Sequence, residues 1–314
     1  MIGRQEQGAL RAQADAWLRD EPELPLPGHG NTLQRWRMLA RIGAHDLCLA
    51  KVLEAHHDAL AILAELGAPP AADGRLMAVW AAHAPGSVLT FDPRGRAVSG
   101  DKPWCSGADI VDAALVTVRD EGGERLLRVD IDNSVTMEAS GWAAPGMAAV
   151  RSATTHFNAT PAAPIGPPGA YLHRPGFWHG GGGIAAVWFG AATQLAESVR
   201  SRAAGELRER LLGRIGMALG PAAACLRELA GAIDAAPGRT HQQAVILARS
   251  VVERACVNVL DLAGRALGPG PMCLEADTAR RWADLTVFIR QSHADRDWVA
   301  LGAAMEPGDV PWTL

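Results

Sequence analysis

Residues 100–118 read GDKPWCSGADIVDAALVTV, a polar turn that leads into a mostly apolar run. The run predicts a buried strand, and Trp104 is expected at its edge. Two interpretations of Trp104 stand side by side. It can fill the seam between a β-domain and neighbouring helices. Alternatively, its rigid indole can contact a flat heterocycle while the hydroxyl or amide of Ser106 reaches a ring heteroatom.

Short apolar or alternating runs continue the strand pattern between residues 75 and 165. They read LMAVWAA, SVLTF, RAVSG, IVDAALVTVRD, RLLRVDI and ATTHFN, and Gly, Pro, Asp or Asn separates them. This spacing predicts an antiparallel β-barrel or sandwich. Glu121-Gly122-Gly123 indicates a hairpin turn. No β-α-β spacing supports a doubly wound parallel sheet.

Helical periodicity precedes the β region, from about residue 5 to residue 67. The Pro- and Gly-rich segment PLPGHGN interrupts it, and Asn31-Thr32 then provides an N-cap. Gly43 is a candidate point of division between two helices. Gly67, followed by two prolines, predicts the end of the second one.

Helical patterns return after residue 166, and four long helices in succession predict a bundle. The predicted fold class is therefore α+β with three regions. These are N-terminal helices in residues 1–74, a middle antiparallel β-barrel or sandwich in 75–165 and a C-terminal four-helix bundle in 166–314.

Composition excludes several classes of protein. The net charge is −4, which argues against a dedicated nucleic-acid binder. The first residues lack the apolar segment of a signal peptide, and no run of eighteen uncharged apolar residues predicts a membrane span. The five cysteines contain no CxxC pair, so neither a disulfide framework nor a metal site is expected. A cytoplasmic protein is the expectation.

The glycine run that follows His179, from Gly180 to Gly183, has two further readings. It is similar to the oxyanion element of esterases, but the GxSxG nucleophile motif that such enzymes require does not occur in the chain. The other reading is a flexible lead into a helix whose free amides approach a ligand closely.

Residues 290–297 read RQSHADRD and bring an imidazole close to a carboxylate. On a continuous helix His293 and Asp297 share one face, and Arg290 lies one turn earlier. A carboxylate beside an imidazole sets its tautomer and raises its basicity, as a general base requires. A surface network of ion pairs is the alternative.

The order of helices, β-domain and helices, together with the GxKxW pattern at 100–104, resembles the acyl-CoA dehydrogenase family. Four other stretches are similar to that family in the same order. They are LMAVWAAHAPG (76–86), WAAPGMAAVRSATTHFN (142–158), PGFWHGGGGIAAVWFG (175–190) and the helical region 279–302. GxKxW alone has little specificity, so the ordered set, over about residues 30–302, carries the resemblance.

This resemblance implies an FAD-dependent enzyme that acts on an acyl thioester or a related carbonyl compound. In the family, a tryptophan and a hydroxyl residue lie on the isoalloxazine ring. The expected flavin contacts here are Trp104, Cys105 and Ser106, with Trp80, Ala81 and Ala82 on the neighbouring strand. The family also implies a homodimer or homotetramer. The electron acceptor stays open.

The chain departs from the family pattern at several functional positions. Ser292, with His293 next to it, stands where the family commonly has its catalytic glutamate. Glycine near Gly183 stands where other members carry that base. The arginine–aromatic–glycine motif that meets the FAD pyrophosphate is absent, and Ala81 and Ala82 replace an expected threonine.

These departures leave three functions open. His293, supported by Asp297, can replace the missing base and abstract the α-proton while the flavin takes the hydride. A monooxygenase that uses reduced flavin and O₂ needs no carboxylate at that position. A degenerate relative would bind a ligand or partner without turning it over.

Overall fold

The computed structural model describes residues 3–71, 74–84, 86, 88–120, 122–138, 141–202 and 204–305. These residues form helices, then a mixed sheet, then helices again, which confirms the predicted α+β class. Contacts group the chain into two compact units. The first contains residues through Leu26 and Cys48–Phe177, and the second contains Pro27–Leu47 and the chain from Trp178 onward. The predicted boundaries near residues 74 and 165 stay predictions.

The described part of the first unit contains a seven-stranded sheet. Its strands are β1 Met77–Trp80, β2 Leu89–Asp92, β3 Ala97–Cys105, β4 Ala113–Asp120, β5 Gly123–Asp130, β6 Val135–Glu138 and β7 Ala153–Ile165. The strand order is β1-β4-β5-β7-β3-β2, and β6 also pairs with β7. The predicted antiparallel arrangement holds for every pair except β1 with β4, which is parallel. The long connection between these two strands allows the chain to return in the same direction.

Local structure differs from the prediction at the start of the stretch 100–118. Residues 100–105, expected as a turn, form the end of β3, and the turn follows them before β4 begins. The predicted hairpin joins β4 to β5, whose pairing reaches Asp120 and Gly123. Glu121 lies outside the described residues.

Strand β7 is the longest strand of the sheet, with 13 residues. Its first part pairs with β3 and β6, whereas its last four residues, 162–165, pair with β5. One strand therefore belongs to both halves of the sheet, as corner strands of sandwiches do. The short strand β6, which pairs with β7, was not predicted.

Ten α-helices occur in the described chain. They are α1 Gly3–Asp20, α2 Thr32–His45, α3 Leu47–Glu65, α4 Ala170–His173, α5 Pro175–Arg202, α6 Glu206–Ala235, α7 Gln242–Leu267, α8 Pro269–Leu274, α9 Ala276–Phe288 and α10 Asp295–Ala303. No helix among these residues has the length and apolar character needed to cross a membrane.

The N-terminal helix boundaries follow the sequence signals with one shift. Helix α2 begins at Thr32 as predicted, but Asn31 provides no side-chain cap. The carboxylate of Asp234 instead accepts hydrogen bonds from the Thr32 amide at 3.0 Å and from its hydroxyl at 2.6 Å. The division lies at Asp46 rather than at Gly43. The chain leaves α3 through Gly67 at φ +62°, which confirms that stop.

The C-terminal helix boundaries differ more from the predictions. The glycine run, expected as a flexible lead, lies inside α5, which begins at Pro175. The helical pattern of the sequence runs on from this glycine run to Ile215, but α5 ends at Arg202 and α6 begins at Glu206, after Gly205 with φ +89°. The predicted helix over 279–302 is also interrupted, because α9 ends at Phe288 and α10 begins at Asp295.

Close contact with α2 explains the glycines of α5. A Cβ atom at Gly182 would lie 2.6 Å from the Trp36 ring, and one at Gly190 would lie 1.9 Å from the carbonyl oxygen of Ala40. Gly43 faces the carbonyl of Val187 in the same way. The sequence predicted a close approach of this backbone to a ligand, whereas the structure shows the glycines in close contact with a helix.

Replacement of Gly190 by alanine tests this packing. The added methyl group would overlap the backbone of α2, so Gly190→Ala should lower the free energy of unfolding by about 3 kcal/mol. Urea denaturation measures the change. Gly213→Ala is the matched control, because Gly213 is exposed within α6 with open space around it. That control should stabilise the protein by about 0.5–1 kcal/mol. Equal effects would contradict the packing argument.

A buried histidine connects α3 to the edge strand β1. His56 is 6% exposed, and its Nδ1 accepts a hydrogen bond from the Met77 amide at 3.2 Å. His56 can accept this hydrogen bond only as a neutral imidazole whose single ring proton is on Nε2. Burial lowers the pKa of His56 to about 4.

This pKa predicts a loss of stability in acid. The unfolded chain binds a proton near pH 6.5 while the folded chain resists it until about pH 4, so stability falls as the pH drops through this interval. The full contribution is about 3 kcal/mol. His56→Asn keeps an acceptor without a titrating group and should flatten this part of the pH profile of urea denaturation. Parallel profiles for both proteins would exclude His56 as the cause.

Candidate functional site

A β-bulge at the end of β3 sets the position of Trp104. Lys102 pairs with Thr155, but the next pair joins Cys105 to Ala153, so β3 contains one residue more than β7 between them. The backbone of Trp104 adopts φ +61°, and its side chain is 58% exposed. A left-handed conformation costs a tryptophan on the order of 1 kcal/mol. The bulge thus turns a large aromatic side chain out of the sheet.

A second tryptophan, which the sequence analysis did not single out, stands against Trp104. The rings of Trp104 and Trp142 meet edge to face, with centroids 6.2 Å apart and an interplanar angle of 84°. The indole N–H of Trp142 donates to the carbonyl oxygen of Gly146 at 3.0 Å, which fixes this ring. Together the two indoles form an aromatic corner, with the Trp104 side chain open to solvent.

Buried contacts support the segment that follows Trp104. The predicted flavin contact Trp80 is only 2% exposed, and its Nε1–H donates to the carbonyl oxygen of Ser106 at 3.1 Å. The Ser106 hydroxyl lies 2.8 Å from the Ser152 hydroxyl, and the Gly107 amide donates to the Val150 carbonyl. Trp80 therefore lies beneath this segment as a support.

Cys105 points into the protein rather than out of it. Its side chain is fully buried, and its Sγ lies 3.3 Å from the carbonyl oxygen of Lys102, to which it donates. Burial raises the pKa of the Cys105 thiol to about 12. The thiol is therefore neutral and unreactive, and the predicted flavin contact of Cys105 would have to involve its backbone.

A buried polar network lies between β3, β4 and the residues after β1, and sequence reasoning missed it. Lys102 is 1% exposed, and its ammonium donates to the Thr117 carbonyl at 2.7 Å and to the Thr117 hydroxyl at 3.0 Å. Burial lowers the pKa of Lys102 to about 8. The Thr117 hydroxyl in turn donates to the Ala81 carbonyl at 3.0 Å, which fixes the predicted segment of Ala81 and Ala82.

His83 and Glu124 extend this network to the surface. The Nε2 atom of His83 lies 3.1 Å from the Glu124 carboxylate and 3.3 Å from the Thr117 hydroxyl. The GxKxW motif contains Lys102, but its partners are distant in sequence. No local signal could have joined these residues.

His293 and Asp297 lie close together, but by a different arrangement from the one predicted. His293 is in the link between α9 and α10, with its side chain 69% exposed and its Nδ1 3.5 Å from Asp297. The Asp297 carboxylate also accepts the His293 amide at 3.3 Å, near the N-terminus of α10. This contact is typical of helix capping. The predicted role of His293 as a base stays a prediction.

No family model matches the sequence, and no curated protein is significantly similar to it. Solved structures do match it. Butyryl-CoA dehydrogenase from Megasphaera elsdenii aligns over 95% of this chain and 88% of its own, with 13% identity and a TM-score of 0.74. The chain has the acyl-CoA dehydrogenase fold.

Two other solved structures extend this fold relationship. Nitrososynthase from Micromonospora carbonacea var. africana aligns over 95% of this chain and 94% of its own, with 18% identity and a TM-score of 0.72. KijD3, solved with FMN and dTDP-3-amino-2,3,6-trideoxy-4-keto-3-methyl-D-glucose, covers 96% of this chain and 90% of its own, with 16% identity and a TM-score of 0.72. The acyl-CoA dehydrogenase fold therefore occurs in proteins with different substrates.

Two tryptophan-to-phenylalanine variants separate the support from the exposed ring. Trp80→Phe removes a buried hydrogen bond and part of a buried ring, so it should lower the free energy of unfolding by about 2 kcal/mol. Trp104→Phe changes an exposed ring and should stay within about 0.5 kcal/mol of the natural protein. Urea denaturation compares the two. A larger loss for Trp104→Phe would mean that Trp104 is the structural side chain.

Proposed function

We propose that the chain is a flavin-dependent oxidoreductase that acts on an acyl thioester or a related carbonyl compound. The observation that carries this proposal is the aromatic corner of Trp104 and Trp142 at the β3 bulge. A protein that only needed to fill a core would gain little from holding a tryptophan exposed on strained backbone. A flat aromatic ligand covering Trp104 explains that arrangement.

The residues of this corner fit a flavin ring system. The exposed face of Trp104 offers stacking contact, and a ring pair of this kind contributes about 0.5–1.5 kcal/mol beyond its buried area. The Ser106 hydroxyl, which lies 2.8 Å from the Ser152 hydroxyl, provides a polar atom for the ring edge. FMN in the KijD3 structure supports a flavin on this fold. The resemblance to acyl-CoA dehydrogenases favours FAD.

Each predicted residue has a definite part in this proposal. Trp104, Ser106 and the backbone of Cys105 contact the flavin. Trp80 holds the segment of Ser106 in place from below, and Ala81 and Ala82 leave room beside the ring. A bound flavin supplies a hydride acceptor. His293, with Asp297, is the base that the sequence proposes. A cytoplasmic homodimer or homotetramer completes the proposal.

The visible spectrum of the purified protein tests flavin binding directly. Flavin retained from expression or taken up from added FAD or FMN gives the absorption bands of oxidised flavin. Trp104→Ala should raise the flavin Kd about tenfold while leaving the free energy of unfolding unchanged, because the side chain is exposed. Trp104→Phe keeps an aromatic ring, so its flavin Kd should lie between those of the natural protein and Trp104→Ala. A colourless protein that takes up neither flavin overturns the proposal.

The reaction type is tested on the flavin-loaded protein without oxygen. Addition of a panel of acyl-CoA thioesters should bleach the flavin if the protein is a dehydrogenase. An absence of bleaching, together with an oxygen-dependent product after chemical reduction, would favour the monooxygenase. Flavin uptake without either reaction would favour the degenerate relative.

A further inference from the structure

His83 and Glu124 form an imidazole–carboxylate pair in the first unit. His83 follows β1 by three residues, and Glu124 lies on β5. Their atoms Nε2 and Oε2 are 3.1 Å apart. The Glu124 side chain is only 11% exposed, whereas that of His83 is 34% exposed. The pair thus joins a sheltered carboxylate to an imidazole that reaches the surface.

The hydrogen bonds around Thr117 determine the tautomer of His83. The single hydroxyl proton of Thr117 is donated to the Ala81 carbonyl, so this hydroxyl can only accept from other groups. An ionised Glu124 can also only accept. Both contacts of His83 Nε2 therefore require a proton on Nε2. In the neutral ring Nδ1 then carries a lone pair, and no described residue forms a hydrogen bond with it.

Burial and the nearby positive charges favour the neutral ring of His83. Burial is the largest cause that lowers the pKa of His83 below its ordinary value, and the ammonium of Lys102 is the next. Glu124 acts in the opposite direction. The other titratable groups that interact with the pair are Lys102 on β3, Arg119 on β4 and Tyr171 on α4. At neutral pH His83 is therefore ready to accept a proton.

We propose that His83, in place of His293, is the general base of this protein and that Glu124 orients it; this inference rests on the carbonyl substrate of the proposed function. In this step the C–H bond next to the carbonyl group breaks, and its electron pair stays on the substrate as an enolate. The proton bonds to Nδ1, and the resulting imidazolium is stabilised by Glu124. The distance between His293 Nδ1 and the Asp297 carboxylate is longer, at 3.5 Å, and the His293 side chain is more exposed than that of His83.

Histidine NMR tests the state of the pair in the full chain loaded with flavin. His83→Gln assigns the resonance. At about pH 7.5 the His83 ring should be neutral and carry its proton on Nε2. Glu124→Gln removes the carboxylate that raises the pKa of His83, so the pKa of His83 should fall further in this variant. A charged ring at this pH, or a proton on Nδ1, would overturn the proposal.

Hydrogen exchange tests the chemistry without any electron acceptor. Acyl-CoA thioesters in D₂O should exchange their α-hydrogens, and His83→Gln should slow this exchange at least about 100-fold. Glu124→Gln should slow it less and shift its pH profile. The matched control is His156→Gln, which removes a partly exposed histidine paired with Asp101 on the same sheet. It should keep the rate within about threefold, below the usual acid–base contribution.

The outcomes separate this role from a structural one and from the flavin proposal. A merely structural pair would lose stability in His83→Gln while the exchange rate of the folded protein stayed unchanged, which would overturn the role. An absence of exchange in the natural protein with every thioester would also overturn it. The flavin proposal would then still be decided by the visible spectrum. Exchange by a chain that takes up no flavin would support His83 and overturn the flavin proposal.

Discussion

Strand β7 forms backbone hydrogen bonds with both halves of the sheet, and the geometry of the first unit depends on this double pairing. Its early residues hold β3 and β6, and its last four hold β5. The bulge beside Trp104 arises where β3 reaches the beginning of β7, since Cys105 pairs with Ala153, the first residue of that strand. The exposed tryptophan is thus a consequence of where one long strand starts.

A buried charge supplies the second constraint. An ammonium group inside a protein needs oxygen partners, and Lys102 obtains both of its partners from Thr117. The contact ties β3 to β4, which are not neighbours in the sheet. It also leaves the Thr117 hydroxyl with a single direction in which to donate. Because the Thr117 hydroxyl donates to the Ala81 carbonyl, it can only accept a hydrogen bond from His83. The buried lysine therefore helps to set the tautomer of His83 at the surface.

Hydrophobic periodicity and the positions of glycine, proline and capping residues predicted most of the fold. The alternating runs located six of the seven described strands, and Thr32 and Gly67 marked helix ends correctly. Four residues were too few for β6 to stand out. The glycines of α5 were misread because glycine disfavours helices locally. Here that cost is offset by tertiary contact with α2, a contact between residues such as Gly43 and Val187 that are remote in sequence.

The candidate site was predicted only in part, for the same physical reason. A motif locates Trp104 and Ser106 because they follow one another along the chain. It does not reveal that Trp80 lies below them or that Trp142 stands beside them, since these contacts depend on how strands and loops pair. The His83 and Glu124 partnership spans 41 residues. The sequence could instead offer only His293 and Asp297, which are close neighbours along the chain.

The interleaving of the two units has a consequence for synthesis on the ribosome. Helix α2 belongs to the second unit, but its glycine-mediated partner α5 is made much later, after the whole sheet has been translated. The first unit can complete its pairing as soon as β7 has emerged. Trp36 and Leu39 of α2, by contrast, stay without their contacts on α5 until that helix has been made. Helix α2 is therefore the segment for which a chaperone has the longest opportunity to bind.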